Sequence, residues 1–228
     1  MVSEKKVKGK LIVVDGGDGS GKNTQTNLLV RKLEEKGVAV KKLDFPQYDT
    51  FFGKLISSYL NGEFGSLEDL NPKIPSLFFA LDRFSQKERI KKWLDEGYNV
   101  VLDRYVESNL AYQSAKLKES EREKFIRWIN QLEYDELNVP KADIIIYLHV
   151  PVEVSEELIK TRPDKDYIKD KRKDIHENDI SYLKQVEKNY LNLAKQKSWV
   201  VVECVENGNL LSIGEIFNKI FNIISKVV

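Results

Sequence analysis

The chain has 228 residues, enough for one well-buried domain and few for two. Its 37 Lys and Arg nearly cancel its 36 Asp and Glu, leaving a formal net charge of +1. That balance gives no overall field to draw nucleic acid or an acidic membrane, and points instead to small-molecule partners. The single cysteine, Cys204, excludes an internal disulfide and fits a reducing compartment; its neighbours Val200, Val201, Val202 and Val205 predict a buried thiol rather than a nucleophile. The N-terminal MVSEKKVKGK is too charged for a signal peptide, and no apolar run approaches the ~18 residues of a membrane span, so a cytoplasmic setting is expected.

In chain order, Leu11 to Thr26 reads LIVVDGGDGSGKNTQT: an apolar run, a carboxylate, a glycine-rich turn, a lysine and the start of a helical pattern. Gly16, Gly21 and Lys22 fit the phosphate-loop spacing G-x-x-x-x-G-K-[ST] up to its last position, where Asn23 stands and Thr24 follows. Gly16, Gly17, Gly19 and Gly21, with Asp18 and Ser20 between them, allow successive N–H groups to wrap a phosphate, and Lys22 adds a full charge at the helix start. The usual hydroxyl at position 23 would hold Mg²⁺; Asn23 offers only a carbonyl oxygen, and Thr24 is the alternative. A helix with Leu28, Leu29 and Leu33 on one face then runs to Gly37, and Val38 to Phe45 reads as a second strand ending in Phe45-Pro46.

Thr50 to Leu60 has helical period, 65–75 reads as loop, and Ser76 to Glu96 as a long helix stopped by Gly97. Tyr98 to Leu102 is a short strand leading into Asp103-Arg104-Tyr105. A helix is expected from Glu119 to Glu133, a strand from Asp143 to Val150 and a helix from Val152 to Thr161, followed by the charge-dense RPDKDYIKDKRKDIHEND. A helix from Asp179 to Lys197, a strand from Trp199 to Val205 and an amphipathic helix from Leu210 to Ile224 complete the chain, with no repeat or long linker. Nearly all-apolar strands alternating with helices predict a parallel sheet covered on both faces, with ligands outside the carboxyl ends of its strands. Asp15, Phe45 and Asp103 fall at those ends.

Taken together, LIVVDGGDGSGKNTQ, FPQY, LFFALDRF, LDRYVESNLAYQ and RPDKDYIKDKRKDIHE closely resemble thymidylate kinase, in matching order from about Lys10 to Tyr190. The resemblance implies an α/β fold of the P-loop NTPase type, a three-layer sandwich with a five-stranded parallel sheet, in one domain over residues 1–228. It also implies transfer of the γ-phosphoryl of ATP to dTMP, with Mg²⁺, and a homodimer. It further implies that residues Gly16 to Thr24 (Gly16, Gly17, Asp18, Gly19, Ser20, Gly21, Lys22, Asn23 and Thr24) take the donor. Arg104 would grip the acceptor phosphate, for which a guanidinium fork is well shaped; the bland alternative is a salt bridge to Asp103. Asp103 itself would either hold the metal's water shell or orient Arg104.

Phe79 and Arg83, four apart on one helical face, would stack on and bond the thymine. Phe45, Tyr48, Asn109 and Tyr112 would line the same pocket, Tyr112 against a 2′-hydroxyl. Asp18 would bond the sugar and help hold Mg²⁺, with Glu177 near both. In thymidylate kinases a basic lid closes over ATP at about 162–177, and some supply an arginine from the phosphate loop; Gly19 stands at that place here, so the lid must supply the cation, Arg172 first, with Arg162 on the adenine. The acceptor phosphate, with a second pKa of ~6, needs no general base, only positioning and charge neutralisation. Competing readings are a sister kinase acting on dUMP or UMP and a non-catalytic ATP-binding regulatory module; a GTPase switch lacks its Asn-Lys-x-Asp motif.

Overall fold

A computed structural model describes residues 7–67, 69–161, 174–177 and 179–228. The expected lid arginines Arg162 and Arg172 lie outside the described residues. Five strands, β1 (Leu11–Gly16), β2 (Val40–Asp44), β3 (Asn99–Asp103), β4 (Ile144–His149) and β5 (Val200–Glu203), form one all-parallel sheet in the order β2-β3-β1-β4-β5. Every residue of β1 and of β3 is buried, as a strand covered on both faces requires. Side-chain alternation divides the core. Leu11 and Val13 point to one layer, packed by α3 (Lys73–Asp95), α4 (Val106–Ala115), α5 (Glu119–Asn130) and α7 (Ile180–Lys197); Ile12 and Val14 point to the other, packed by α1 (Lys22–Glu35) and α8 (Ile213–Ile224). The expected three-layer α/β sandwich is therefore the observed fold.

The register brings the strand ends level: Val14 lies opposite Asp103, and Asp44 opposite the same residue on the other side. The helix after β1 packs on one face of the sheet and the helix after β3 on the other, so the crevice between these neighbouring strand ends is the switch point where such sheets hold ligands.

Most helices start and stop within three residues of expectation. Three features were not expected. The first, α4, follows β3 directly and has no polar face: all its residues except Ser108 are buried, so it carries no amphipathic period to read. The second is the end of α5, which stops at Asn130 and widens into one π-helical turn, Gln131–Glu136, where a single helix to Glu133 was expected. The third is a hairpin, β6 (Val205–Glu206) and β7 (Asn209–Leu210), turned by Asn207 and Gly208 with φ of 52° and 78°. Two positive-φ residues in Asn-Gly order are the usual two-residue hairpin turn. A helix α2 (Phe51–Leu60), capped by Thr50, packs Ile56, Tyr59 and Leu60 against Phe78 and Phe79 of α3, and α6 (Val152–Thr161) follows β4.

Among the described residues no helix is long and apolar enough to cross a membrane. Cys204 is fully buried, and that burial pushes its thiol up to about 12, as expected of a packing residue.

Candidate active site

The loop from Gly16 to Lys22 links β1 to α1. Its turn requires φ of 77° at Gly19, and a Cβ there would sit 2.8 Å from the Ser155 carbonyl of α6. No side chain fits at position 19, so this loop cannot deliver a cation from that place. Lys22 is buried and folds back over the loop, donating to the Gly17 carbonyl (2.6 Å) and the Ser20 hydroxyl (3.3 Å). Burial, with Arg104's charge nearby, pushes its ammonium down to about 8 against the pull of Asp18, Asp103 and Asp15. Asn23 and Thr24 are exposed on the first turn of α1; the Asn23 carbonyl oxygen accepts from Asn27 Nδ2 at 2.7 Å, along the helix.

Arg104 is the hinge between β3 and α4. Its φ of 65° lies in the left-handed region, unfavourable for a side-chain-bearing residue, and its N–H donates to the Val14 carbonyl of β1 at 3.1 Å. The kink sends the guanidinium across the end of β1. There Nη2 donates to Asp18 Oδ1 (2.7 Å), and Nη1 to Ser108 Oγ (3.0 Å) and the Gly16 carbonyl (3.3 Å). Among the described residues its carboxylate partners are Asp18 and, at 3.9 Å, Asp15; the bland pairing with Asp103 is not formed. Asp103 is buried at the end of β3, and burial raises its carboxyl to about 6 despite the nearby Lys22 and Arg104.

Behind Arg104 stands a support that the sequence did not reveal. The carboxylate of Asp15, wholly buried, accepts from its neighbour's Gly16 N–H (2.7 Å), Ser108 Oγ (2.7 Å) and Tyr190 OH (2.8 Å). Ser108 thereby joins Asp15 to Arg104, and Tyr190 of α7, stacked on Tyr147 of β4 at 4.7 Å, locks the group from the far side.

Two hollows meet at this point. The first, about 580 Å³ including its mouth, lies between α2, α3 and α4; its walls include Phe45, Tyr48, Phe79, Arg83, Asn109 and Tyr112, the six residues expected of an acceptor pocket. Phe45 packs against Tyr105 (5.8 Å between centroids) and Phe79 edge-on against Tyr59 (6.3 Å). Tyr112 donates its hydroxyl to Asp18 Oδ2 at 3.0 Å. Arg83 is only 3 % exposed: its Nε and Nη2 go to both carboxylate oxygens of Glu133, in the π-helical turn, and Nη1 reaches the Tyr105 carbonyl at 3.3 Å. Asn109 donates to Glu133 and to the Ser76 carbonyl, each at 3.2 Å, and its Oδ1 has no hydrogen-bond partner among the described residues. Gln113, one residue past Tyr112 and overlooked in the sequence, lines this hollow fully buried; its amide faces the Tyr59 hydroxyl, and its Oε1 has no hydrogen-bond partner among the described residues.

The second hollow is an open groove running along Asp18 to Gln25 and past Asp103 to a wall that includes Val150, Leu158, Leu210, Leu211, Ile213 and Ile216. Lys22 lines this groove; Asp18, Phe45, Pro46, Tyr48 and Arg104 line both hollows. The lysine of the anion nest and the arginine at the end of a different strand thus share one continuous cleft.

Asp18, Asp174 and Glu177 each bring a carboxylate oxygen within 4.8 Å of the others. Oxygen-only carboxylate sets suit a hard divalent cation. Two of the three, Asp18 and Glu177, were singled out from the sequence; Asp174, one of several acids within the charge-dense stretch, was not. Asp103 and Thr24, also expected near a metal, are not in this cluster.

Comparison with known proteins agrees with the geometry. The family model for thymidylate kinase matches residues 14–212. Thymidylate kinase from Plasmodium falciparum is 29% identical over 226 residues, spanning 99% of this chain and 94% of its own length. The thymidylate kinase of Mycobacterium tuberculosis is 34% identical over 197 residues, with 84% and 90% covered. Among solved structures, thymidylate kinase from Candida albicans superposes with a TM-score of 0.73 at 25% identity, covering 96% of this chain and 92% of that one.

Proposed function

Because the chain belongs to the thymidylate kinase family, we propose that it transfers the γ-phosphoryl of ATP to dTMP, giving dTDP and ADP. The observation that carries this reading is the single cleft in which Arg104 and Asp18 stand between the nest around Lys22 and the pocket around Phe79 and Tyr112. The loop amides of Gly16 to Thr24 and the Lys22 ammonium hold the donor's phosphates. Arg104, held by Asp18 in this structure, exchanges that partner for the acceptor's phosphate, whose charge it matches with a rigid fork. The acceptor phosphate is itself the nucleophile, so alignment and neutralisation supply the catalysis.

In the acceptor pocket Phe79 stacks on the base, Tyr112 fills the space a 2′-hydroxyl would need, and Phe45 and Tyr48 close the wall. Glu133 occupies two of the three nitrogens of Arg83; Nη1 gives one N–H to the Tyr105 carbonyl and has its second for a base carbonyl. The buried Gln113 Oε1, without a partner among the described residues, is an acceptor for the N–H on thymine's edge. Asn109 Oδ1 is the neighbouring acceptor.

Asp18, Asp174 and Glu177 are the carboxylates that would hold Mg²⁺, with Asp103 and Thr24 beside the donor phosphates. A Mg²⁺ ion held by these carboxylates would supply charge neutralisation for the transferring group. Arg172 and Arg162 remain our assignment for the lid: no side chain fits at Gly19, so the cation has to come from elsewhere. The exposed Phe51, Phe64, Ile74 and Phe84, around α2 and α3, give a homodimer its apolar surface. With a net charge of +1 the partners are nucleotides rather than nucleic acid or membrane, in the cytoplasm.

The test is ADP release with ATP and Mg²⁺ across dTMP, dUMP, UMP and dGMP. The highest kcat/KM with dTMP is expected. Release with UMP alone would make the chain a sister kinase, and no release with any acceptor would make it a regulatory ATP-binding module.

A further inference from the structure

The groove that takes the donor's phosphates has to take its base as well. The acceptor pocket occupies the Arg104 side of the phosphate loop, so a nucleoside triphosphate seated at Lys22 extends the other way, toward Val150, Leu158, Leu210, Leu211, Ile213 and Ile216. This end is apolar, and two of its side chains, Leu210 and Ile213, are 41% and 58% exposed. Such a surface suits the face of a purine, but an apolar wall cannot tell one purine from another.

One polar side chain lies in this lining on α1, almost one turn past Lys22: Gln25, only 2% exposed. Its Nε2 donates to the main-chain carbonyl of Ile213 at 3.0 Å, at the entry to α8. A carbonyl can only accept, so this bond fixes the amide's orientation, nitrogen toward Ile213 and oxygen away from it. The oxygen, Oε1, is buried and has no hydrogen-bond partner among the described residues. A buried acceptor without a donor carries an uncompensated desolvation penalty, which a donating ligand would remove. At the 6-position of a purine that donor is an amino group; a 6-oxo group in the same place would bring a second acceptor and leave both unsatisfied.

We propose that Gln25 reads the exocyclic 6-amino group of the donor nucleotide through Oε1 and thereby selects ATP over GTP and ITP. The bond from Nε2 to Ile213 holds the amide in the reading orientation and ties it to the same wall on which the purine lies. This deepens the donor reading above and rests on it.

The experiment measures kcat/KM for ATP and for purine riboside triphosphate, which lacks the 6-amino group, together with ITP, all with saturating dTMP. Wild type is expected to favour ATP over purine riboside triphosphate by about tenfold, in KM rather than kcat, the scale of one hydrogen bond to a buried group. ITP should be poorer still. In Gln25→Met and Gln25→Leu the ATP advantage should collapse toward one, while the KM for dTMP stays unchanged. A wild-type ratio near one, or an undiminished ratio in the aliphatic variants, would overturn the assignment. Loss of turnover with every donor in wild type would instead overturn the kinase reading. Because each enzyme is scored by a ratio of two donors, a general loss of stability in a variant does not imitate the effect.

Discussion

At the residue scale the site depends on two cations whose surroundings differ. Arg104 is held in an unfavourable backbone conformation by the Val14 carbonyl and by a side-chain web of Asp18, Ser108 and Asp15. Arg104→Ala removes an oriented charged donor, and kcat/KM for dTMP should fall by about 100-fold, corresponding to ~3 kcal/mol, with near-native circular dichroism. Wild-type turnover in that variant would remove Arg104 from the mechanism. Lys22 differs because its proton is weakly held. With its ammonium pushed down to about 8, the free enzyme loses that charge as pH rises through 8, so the KM for ATP should climb above that value. A bound triphosphate favours the charged form, so ATP binding should take up a proton between about pH 8 and 10, measurable by calorimetry in buffers of different ionisation enthalpy. Both cations were legible in the sequence, because each belongs to a short contiguous pattern. Gln113, Ser108, Tyr190 and Asp174 were not. Their roles come from partners up to 175 positions away or from the pocket wall, and nothing in their local spacing sets them apart from ordinary polar residues.

At the scale of elements, α4 explains why a confident motif can hide the helix that carries it. Nearly every residue of α4 is buried, so it has no solvent face, and period-based reading finds neither start nor stop. The hairpin at Asn207-Gly208, by contrast, had a legible turn signal, but its strands of two residues each are too short to show alternation. Full burial of α4 has a cost at Glu107. Burial first, and Asp15 next, raise its carboxyl to about 8, and Oε2 has no hydrogen-bond partner among the described residues. The folded pKa lies above the unfolded value of 4.5, so the folded chain holds the proton more tightly. Stability contributed by this group is therefore full below about pH 4.5 and declines as pH rises toward 8. Glu107→Gln mimics the protonated form. Urea unfolding should find it equal to wild type near pH 5 and more stable by about 3 kcal/mol near pH 9, on the order expected from so large a shift. Equal stabilities at both pH values would mean that Glu107 finds a partner in solution.

At the scale of the molecule, the strand order made the site predictable before any side chain was considered. Placing β1 between β3 and β4 sends the helices after β1 and β3 to opposite faces, and the crevice so opened receives the phosphate loop from one side and Arg104 from the other. Alternating apolar strands and helices were enough to anticipate the sheet, but not which strand ends would be neighbours. The consequence is that the hollows proposed for donor and acceptor are not separate, since Asp18 and Arg104 form walls of both. A ligand joining adenosine to thymidine through a chain of five phosphates can then engage both at once, and its second half binds at the effective concentration set by the tether rather than that of free solution. Such linkage typically tightens binding by about 10² to 10⁴ over either half alone. Titration calorimetry should accordingly give the joined ligand one site per chain and a Kd at least about 100-fold below those of ADP and dTMP measured separately. Shortening the bridge to two phosphates should abolish the gain, because the tether could no longer span from the nest at Lys22 past Arg104. An affinity no better than the stronger half, or one indifferent to bridge length, would mean that the two hollows are not occupied together.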